Sequence, residues 1–171
     1  MDQNPDAVLF DRDGTLIKDV PYNGDPELVV PMPGAHEFLL ALRGRGVRTG
    51  VVSNQSGIGR GLLTRAQVDA VNSRVDELLG PFDTWQVCPH APEDGCACRK
   101  PAPAMILRAC AALDARPERT YFIGDIEADV EAGLAAGVVP ILVPTPATLP
   151  DEVDRAPRAA PDLGAAAEMV L

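Results

Sequence analysis

Apolar and polar positions along this chain switch repeatedly between two periods. Ala7-Val8-Leu9-Phe10 is a short apolar run with no polar break, the pattern of a strand buried on both faces. Pro33 opens a stretch in which Ala35, Phe38, Leu39 and Leu42 follow the i, i+3, i+4, i+7 spacing of a helix, and Gly44 and Gly46 stop it. Val47 to Val52 predicts the next strand, ending at Ser53-Asn54. Thr64 is a good N-cap for a helix with Val68, Val71, Val75, Leu78 and Leu79 on one face, closed by Gly80-Pro81. A third strand is expected at Thr84–Val87, a helix from about Pro103 to Leu113, and a fourth strand at Thr120–Ile123. A short helix at Glu127–Ala136, stopped by Gly137, and a fifth strand at Val138–Val143 complete the rhythm. Strands alternating with helices predict an α/β fold: a parallel sheet with helices on both faces, in a single domain spanning residues 1–171. The segment Lys18–Met32 holds three Pro and one Gly and is too long for a tight turn, so it predicts a small flap and no large cap domain. After Pro144 the chain is rich in Pro and Ala, which predicts a surface tail ending in a short helix from about Asp162.

The polar residues at the strand ends carry the chemistry. Asp11 follows the first strand, Ser53 the second, Cys88 the third and Asp125 the fourth, so one edge of the sheet gathers reactive groups. That edge is where α/β folds bind ligands. Asp11 and Asp13 lie two residues apart in Asp11-Arg12-Asp13-Gly14-Thr15, and a divalent cation relieves the repulsion between such neighbours. A plain surface turn is the bland alternative. Gly124-Asp125-Ile126-Glu127-Ala128-Asp129 sets two carboxylates four residues apart, Asp125 and Asp129, at a strand-to-helix junction; alone it reads as an acidic helix start, but beside Asp11 it makes a hard-oxygen Mg²⁺ site. Ser53-Asn54-Gln55-Ser56-Gly57 offers a hydroxyl, two amides and a glycine-bearing loop suited to an anion, and Arg99-Lys100 adds adjacent cations before a helix. A polar turn and a solvated charge pair are the competing interpretations of these two.

Composition narrows the classes. A net charge of −10 in 171 residues argues against nucleic acid as a partner. No stretch approaches the roughly 18 apolar residues of a membrane span. Met1–Asp6 has neither the basic region nor the hydrophobic core of a signal peptide, so a cytoplasmic location is the expectation. In such a chain Cys88, His90, Cys96 and Cys98 read as metal ligands, and three thiols with one imidazole are a complete tetrahedral set for structural Zn²⁺. Fixing Cys98 would also fix Arg99 and Lys100. Cys110 and His36 are expected to be structural. The basic residues comprise 13 Arg and only two Lys, Lys18 and Lys100, which marks Lys100 as a place where a compact ammonium is wanted.

Asp11-x-Asp13-Gly14-Thr15, Ser53, Lys100, and Gly124-Asp125 with Asp129, in this order and at strand ends, resemble the four signature motifs of the haloacid dehalogenase superfamily of phosphotransferases, whose fold is Rossmann-like. Together with the Cys88–Cys98 cluster, the run from Ser53 to Gly61 looks like the small, capless, zinc-containing branch that acts on heptose bisphosphate and histidinol phosphate. The resemblance implies a Mg²⁺-dependent phosphatase in which Asp11 is the nucleophile and Asp13 the acid–base. It further implies that Asp11, Asp125 and the backbone of Asp13 hold the metal, Ser53 and Lys100 hold the phosphoryl oxygens, and Asp129 fixes Lys100 or a metal-bound water. The substrate is expected to be a small sugar phosphate held by Ser53, Asn54, Gln55, Arg60, Arg99 and Lys100. Arg60 and Arg99 exceed what one phosphate requires, which favours a heptose bisphosphate over histidinol phosphate. The two regions facing the substrate depart from the family pattern: the loop between His90 and Cys96 is short, and the flap around Val20–Gly24 is not a clear match. A monomer is expected. The alternative outside enzymes is a phospho-accepting receiver domain, which also joins Asp, hydroxyl, Lys and Mg²⁺ but places its phosphorylated Asp after the acidic pair.

Overall fold

The computed structural model describes residues 4–171. The reading of Met1–Asp6 therefore falls partly on residues outside those described. A five-stranded parallel sheet runs in the order β3-β2-β1-β4-β5, formed by β1 (Ala7–Phe10), β2 (Arg48–Asn54), β3 (Thr84–Cys88), β4 (Thr120–Gly124) and β5 (Val139–Leu142). The first strand lies in the middle, and its four residues, all apolar, find cover on both faces. Val8 and Phe10 enter one core with α1 (Ala35–Gly44), α3 (Arg65–Leu79) and α7 (Leu163–Val170). Ala7 and Leu9 enter the other, with α4 (Ala104–Ala112) and α5 (Glu127–Ala136). Phe10 meets Phe38 of α1 edge to face, with ring centroids 5.4 Å apart.

Most elements start and stop where the sequence predicts. Thr64 caps α3 reciprocally: its Oγ1 accepts from the Gln67 N–H, and Gln67 Oε1 accepts from the Thr64 N–H. Gly34, not Pro33, caps α1, with a φ of 83° that disfavours any other residue. Two short helices escape the periodicity: α2 (Ser56–Gly59) and α6 (Pro150–Arg155), each under two turns and too brief to repeat an apolar face.

The flap is an out-and-back loop. The Lys18 N–H donates to Val30 O, the Met32 N–H donates to Leu16 O, and a single 3₁₀ turn at Pro26–Leu28 lies between. The tail does more than wrap the surface. Arg158 and Ala160 hydrogen-bond to Leu142 along the outer edge of β5, and Ala160, Leu163, Ala166 and Val170 are buried against α1. Among the described residues no helix is long and apolar enough to cross a membrane.

Candidate active site

Register explains why the chosen residues converge. Phe10 lies opposite Val51 on one side and Ile123 on the other. One residue further along, Asp11 emerges between β2 and β4, with Ser53 and Asp125 each one step beyond their own strand partners. This is the point where connections leave the sheet in opposite directions, the crevice in which such folds hold ligands. Asn54 pairs with Cys88 in the β2–β3 register, so the cysteine cluster begins directly beside the loop after β2.

Lys100 forms the hub. It is 4% exposed, and its Nζ donates to Asp11 Oδ1 at 2.9 Å, Asp129 Oδ1 at 2.7 Å and the Val52 carbonyl at 2.9 Å, using all three protons. Its main chain is clasped by the Asn54 side chain. The Lys100 N–H donates to Asn54 Oδ1 at 3.1 Å, and Asn54 Nδ2 donates to Lys100 O at 3.3 Å. Asp129, fully buried in the first turn of α5, accepts from the Asp125 and Ile126 N–H groups through Oδ2 while Oδ1 faces Lys100.

Asp11, Asp125 and Asp129 place one oxygen each within 4.8 Å of one another. Burial drives the Asp11 carboxyl up to about 6, with Asp129 adding to the rise and Lys100 opposing it. Burial pushes Asp125 further, to about 9, helped by Asp11 and Asp129. Three carboxylates answered by one ammonium leave an excess of buried negative charge, and a hard, oxygen-loving dication fits that donor set. Gly14 makes the approach possible: it has φ +80°, and a Cβ there would run into Asp125 Oδ2.

Asp13 stands apart from this cluster. Arg12 Nε and Nη2 donate to its Oδ1 at 3.2 and 3.1 Å, and Gln55 Nε2 donates to its Oδ2 at 2.9 Å. Its carboxylate is not among the three that converge. The same Gln55 Nε2 lies 2.8 Å from Ser53 Oγ, and Ser53 is wholly buried. A cavity of about 250 Å³ opens beside Asp13, lined by Arg12, the flap residues Asp19–Asn23, and Asn54–Gly57. Arg60 and Arg99 are not in its wall. Arg60 reaches Glu93 on the neighbouring loop at 3.9 Å, and Arg99 buries an Nη1 that has no hydrogen-bond partner among the described residues.

The Cys88, His90, Cys96 and Cys98 donors also lie within 4.8 Å of one another. The Cys88–Cys98, Cys88–Cys96, His90–Cys98 and Cys88–His90 separations are 3.0, 3.7, 3.3 and 3.5 Å. A zinc–sulfur bond of about 2.3 Å implies tetrahedral edges of about 3.8 Å, so the cluster fits a closed four-ligand site after slight expansion. Burial opposes ionisation of the Cys96 thiol, but N–H groups from Arg99 and Cys98 outweigh it and bring the group down to about 6. The cysteines form no disulfide, and Cys110 is buried in the core with α4. The loop after β2 is docked on this cluster, with the Gln55 N–H donating to Cys88 O and the Gly59 N–H to Pro89 O.

Sequence reasoning missed Arg12 and Asn72. The sequence pattern gave Arg12 no role, although an Arg at the end of a buried strand is itself a signal. Asn72 interrupts the apolar face Val68–Val71–Val75 of α3, the other legible clue.

Comparison with known proteins follows the same line. A family model described as HAD-hydrolase-like matches residues 97–167. The D-glycero-β-D-manno-heptose-1,7-bisphosphate 7-phosphatase of Pseudomonas putida is 34% identical over 143 residues, covering 81% of this chain and 82% of that protein. The equally named protein of Bordetella bronchiseptica is 31% identical over 173 residues, 96% of this chain and 97% of that one. A crystal structure of the B. bronchiseptica D,D-heptose 1,7-bisphosphate phosphatase with magnesium and phosphate superposes with a TM-score of 0.83 at 28% identity, covering 95% and 97% of the two chains.

Proposed function

The chain belongs to the haloacid dehalogenase-like phosphatases, and from that membership we propose that it removes the 7-phosphate of D-glycero-D-manno-heptose 1,7-bisphosphate. As a member it is a phosphoric monoester hydrolase and no receiver domain. The observation that carries the choice of substrate is the likeness, over most of the chain, to relatives that bear the name of that activity, 34% and 31% identical. The proposal takes the chain as one domain that acts as a monomer. A cytoplasmic location goes with a phosphorylated metabolite as substrate.

In the proposed reaction Asp11 attacks phosphorus and becomes an aspartyl phosphate, dividing hydrolysis into two easier displacements. Asp13 protonates the departing oxygen and later takes a proton from water. Asp11, Asp125 and the Asp13 carbonyl would hold Mg²⁺, which supplies positive charge that lets an anionic nucleophile meet an anionic phosphate. Lys100 neutralises the phosphoryl oxygens as charge shifts, and Ser53 donates to them once Gln55 turns aside. Asp129 keeps Lys100 in place. Asn54 serves by clasping the Lys100 main chain.

A second reading is histidinol phosphate. Asp19 lines the cavity, so a substrate amine would find a carboxylate partner there. Phosphate release across sugar mono- and bisphosphates and histidinol phosphate tests the two. Heptose 1,7-bisphosphate is expected to give the highest kcat/KM. Arg99→Ala is expected to lower that value about 10- to 150-fold while changing a heptose monophosphate little. Equal losses on both substrates overturn the bisphosphate reading, and a best rate with histidinol phosphate replaces it.

We assign zinc to the cysteine–histidine cluster on the strength of its donor set and spacing. Elemental analysis of the purified protein is expected to find about one zinc per chain, since four ligands close one tetrahedral site. Cys98→Ser is expected to bring this close to zero; full zinc retention in that variant refutes the assignment.

A further inference from the structure

Arg12 is left idle by the reaction as written, although it adjoins the nucleophile and is 2% exposed. Its pairing is unusual. Nε and Nη2 both donate to the same oxygen of Asp13, Oδ1, instead of sharing the carboxylate as a fork. The third arm, Nη1, donates to Asn72 Oδ1 at 2.7 Å, and Asn72 is itself buried on the apolar face of α3. A guanidinium and an amide buried this deeply are costly, and a leucine at 72 would continue the apolar face. What the pair achieves is geometric: it pins one oxygen of Asp13 from a rigid helix and leaves the other, Oδ2, with only the Gln55 amide beside it.

We infer that Arg12 is a positioning residue for the acid–base carboxyl, that Asn72 is its anchor, and that Oδ2 is the oxygen that carries the proton. This deepens the reading of Asp13 given above and rests on it. In the first half-reaction an Asp11 oxygen bonds to phosphorus, the bond from phosphorus to the leaving oxygen breaks, and the Oδ2 proton moves to that oxygen. In the second, water bonds to phosphorus and returns a proton to Oδ2, while the Asp11–phosphorus bond breaks and phosphate departs. An unpinned carboxyl would rotate and exchange its two oxygens, so the proton would often be held in the wrong direction. Small misplacements of this kind are costly in rate.

The test uses leaving-group dependence, which a merely structural role would not produce. A sugar alkoxide needs the proton; p-nitrophenolate leaves almost without it. Asn72→Leu keeps the size and removes the acceptor. It is expected to lower kcat about 10- to 100-fold on the best sugar phosphate, with KM within about twofold and p-nitrophenyl phosphate turnover within about threefold of wild type. Asn72→Asp restores an acceptor at the same place and is expected to recover the sugar phosphate rate to within about threefold. Should Asn72→Leu fail to fold, Asn72→Ala carries the same expectation. Equal losses on the two substrates, no loss at all, or failure of the aspartate to rescue overturns the inference. Asp13→Asn is measured alongside. If that variant also treats both substrates alike, the acid–base assignment of Asp13 falls, and the role of Arg12 falls with it.

Discussion

Asp11→Asn is expected to reduce phosphate release by on the order of 10⁴-fold or more, because it removes the attacking oxygen along with a metal ligand. The protein should nonetheless fold. At pH 7.5 the wild-type carboxyl is ionised although burial and Asp129 have raised it to about 6, so its charge works against the native state in the absence of metal. For a carboxyl raised in this way the destabilisation is full above the folded value and vanishes once both states are protonated, below about pH 4. The melting temperature of metal-free Asp11→Asn at pH 7.5 is therefore expected to be no lower than wild type, and the two should converge in acid. Residual activity above about one hundredth of wild type would exclude an aspartyl phosphate, since removal of a covalent nucleophile typically costs far more.

Lys100→Met should affect stability as well as turnover. Among the described residues the ammonium is the only cation bonded to Asp11 and Asp129, at distances of 2.7–2.9 Å, and it also satisfies the Val52 carbonyl and lies 5.4 Å from the centre of the Phe122 ring. Methionine fills the space but takes the counter-charge from two buried carboxylates, which keep only backbone N–H donors. Breaking a buried pair from one side costs about 3–5 kcal/mol, and here one cation serves two partners. Urea unfolding in the absence of metal is expected to reveal a loss of that size, with phosphatase activity near background. Millimolar Mg²⁺ should restore part of the stability, because a dication that binds the native cluster stabilises it by mass action. A loss below about 1 kcal/mol would mean that the carboxylates shed their charge and that Lys100 is not what holds them.

The sequence made β1 legible as a strand buried on both faces because it has no polar residue, and whatever follows its carboxyl end must meet the ends of its neighbours. Asp11, Ser53, Cys88 and Asp125 could therefore be assembled on paper from local patterns alone. The grip of Lys100 on Asp129 could be guessed from motif resemblance, but its simultaneous hold on Val52 could not. What stayed hidden were pairings between distant side chains. Arg12 and Asn72 are 60 residues apart, and neither residue alone implies the other. Arg60 and Arg99 were placed at the phosphate pocket by sequence neighbourhood, yet neither lines the cavity beside Asp13, because side-chain direction in a loop is set by packing and not by adjacency. The brief helices α2 and α6 were invisible for a simpler reason: a helix of four or six residues has no second turn in which to repeat itself.

The way Arg158 and Ala160 line the outer edge of β5 bears on the behaviour of the protein in concentrated solution. A parallel sheet has two exposed flanks, each a row of unpaired N–H and C=O groups ready to recruit a strand from another molecule. Here one flank is occupied from within, and the same segment continues into α7, which covers the apolar face of α1 around Ala35 and Phe38. A chain cut near Pro144 would uncover a sticky strand and a greasy helix face side by side, the combination that seeds intermolecular sheet growth. The last stretch, to which no step of phosphoryl transfer is assigned, is thus the molecule's guard against precipitation.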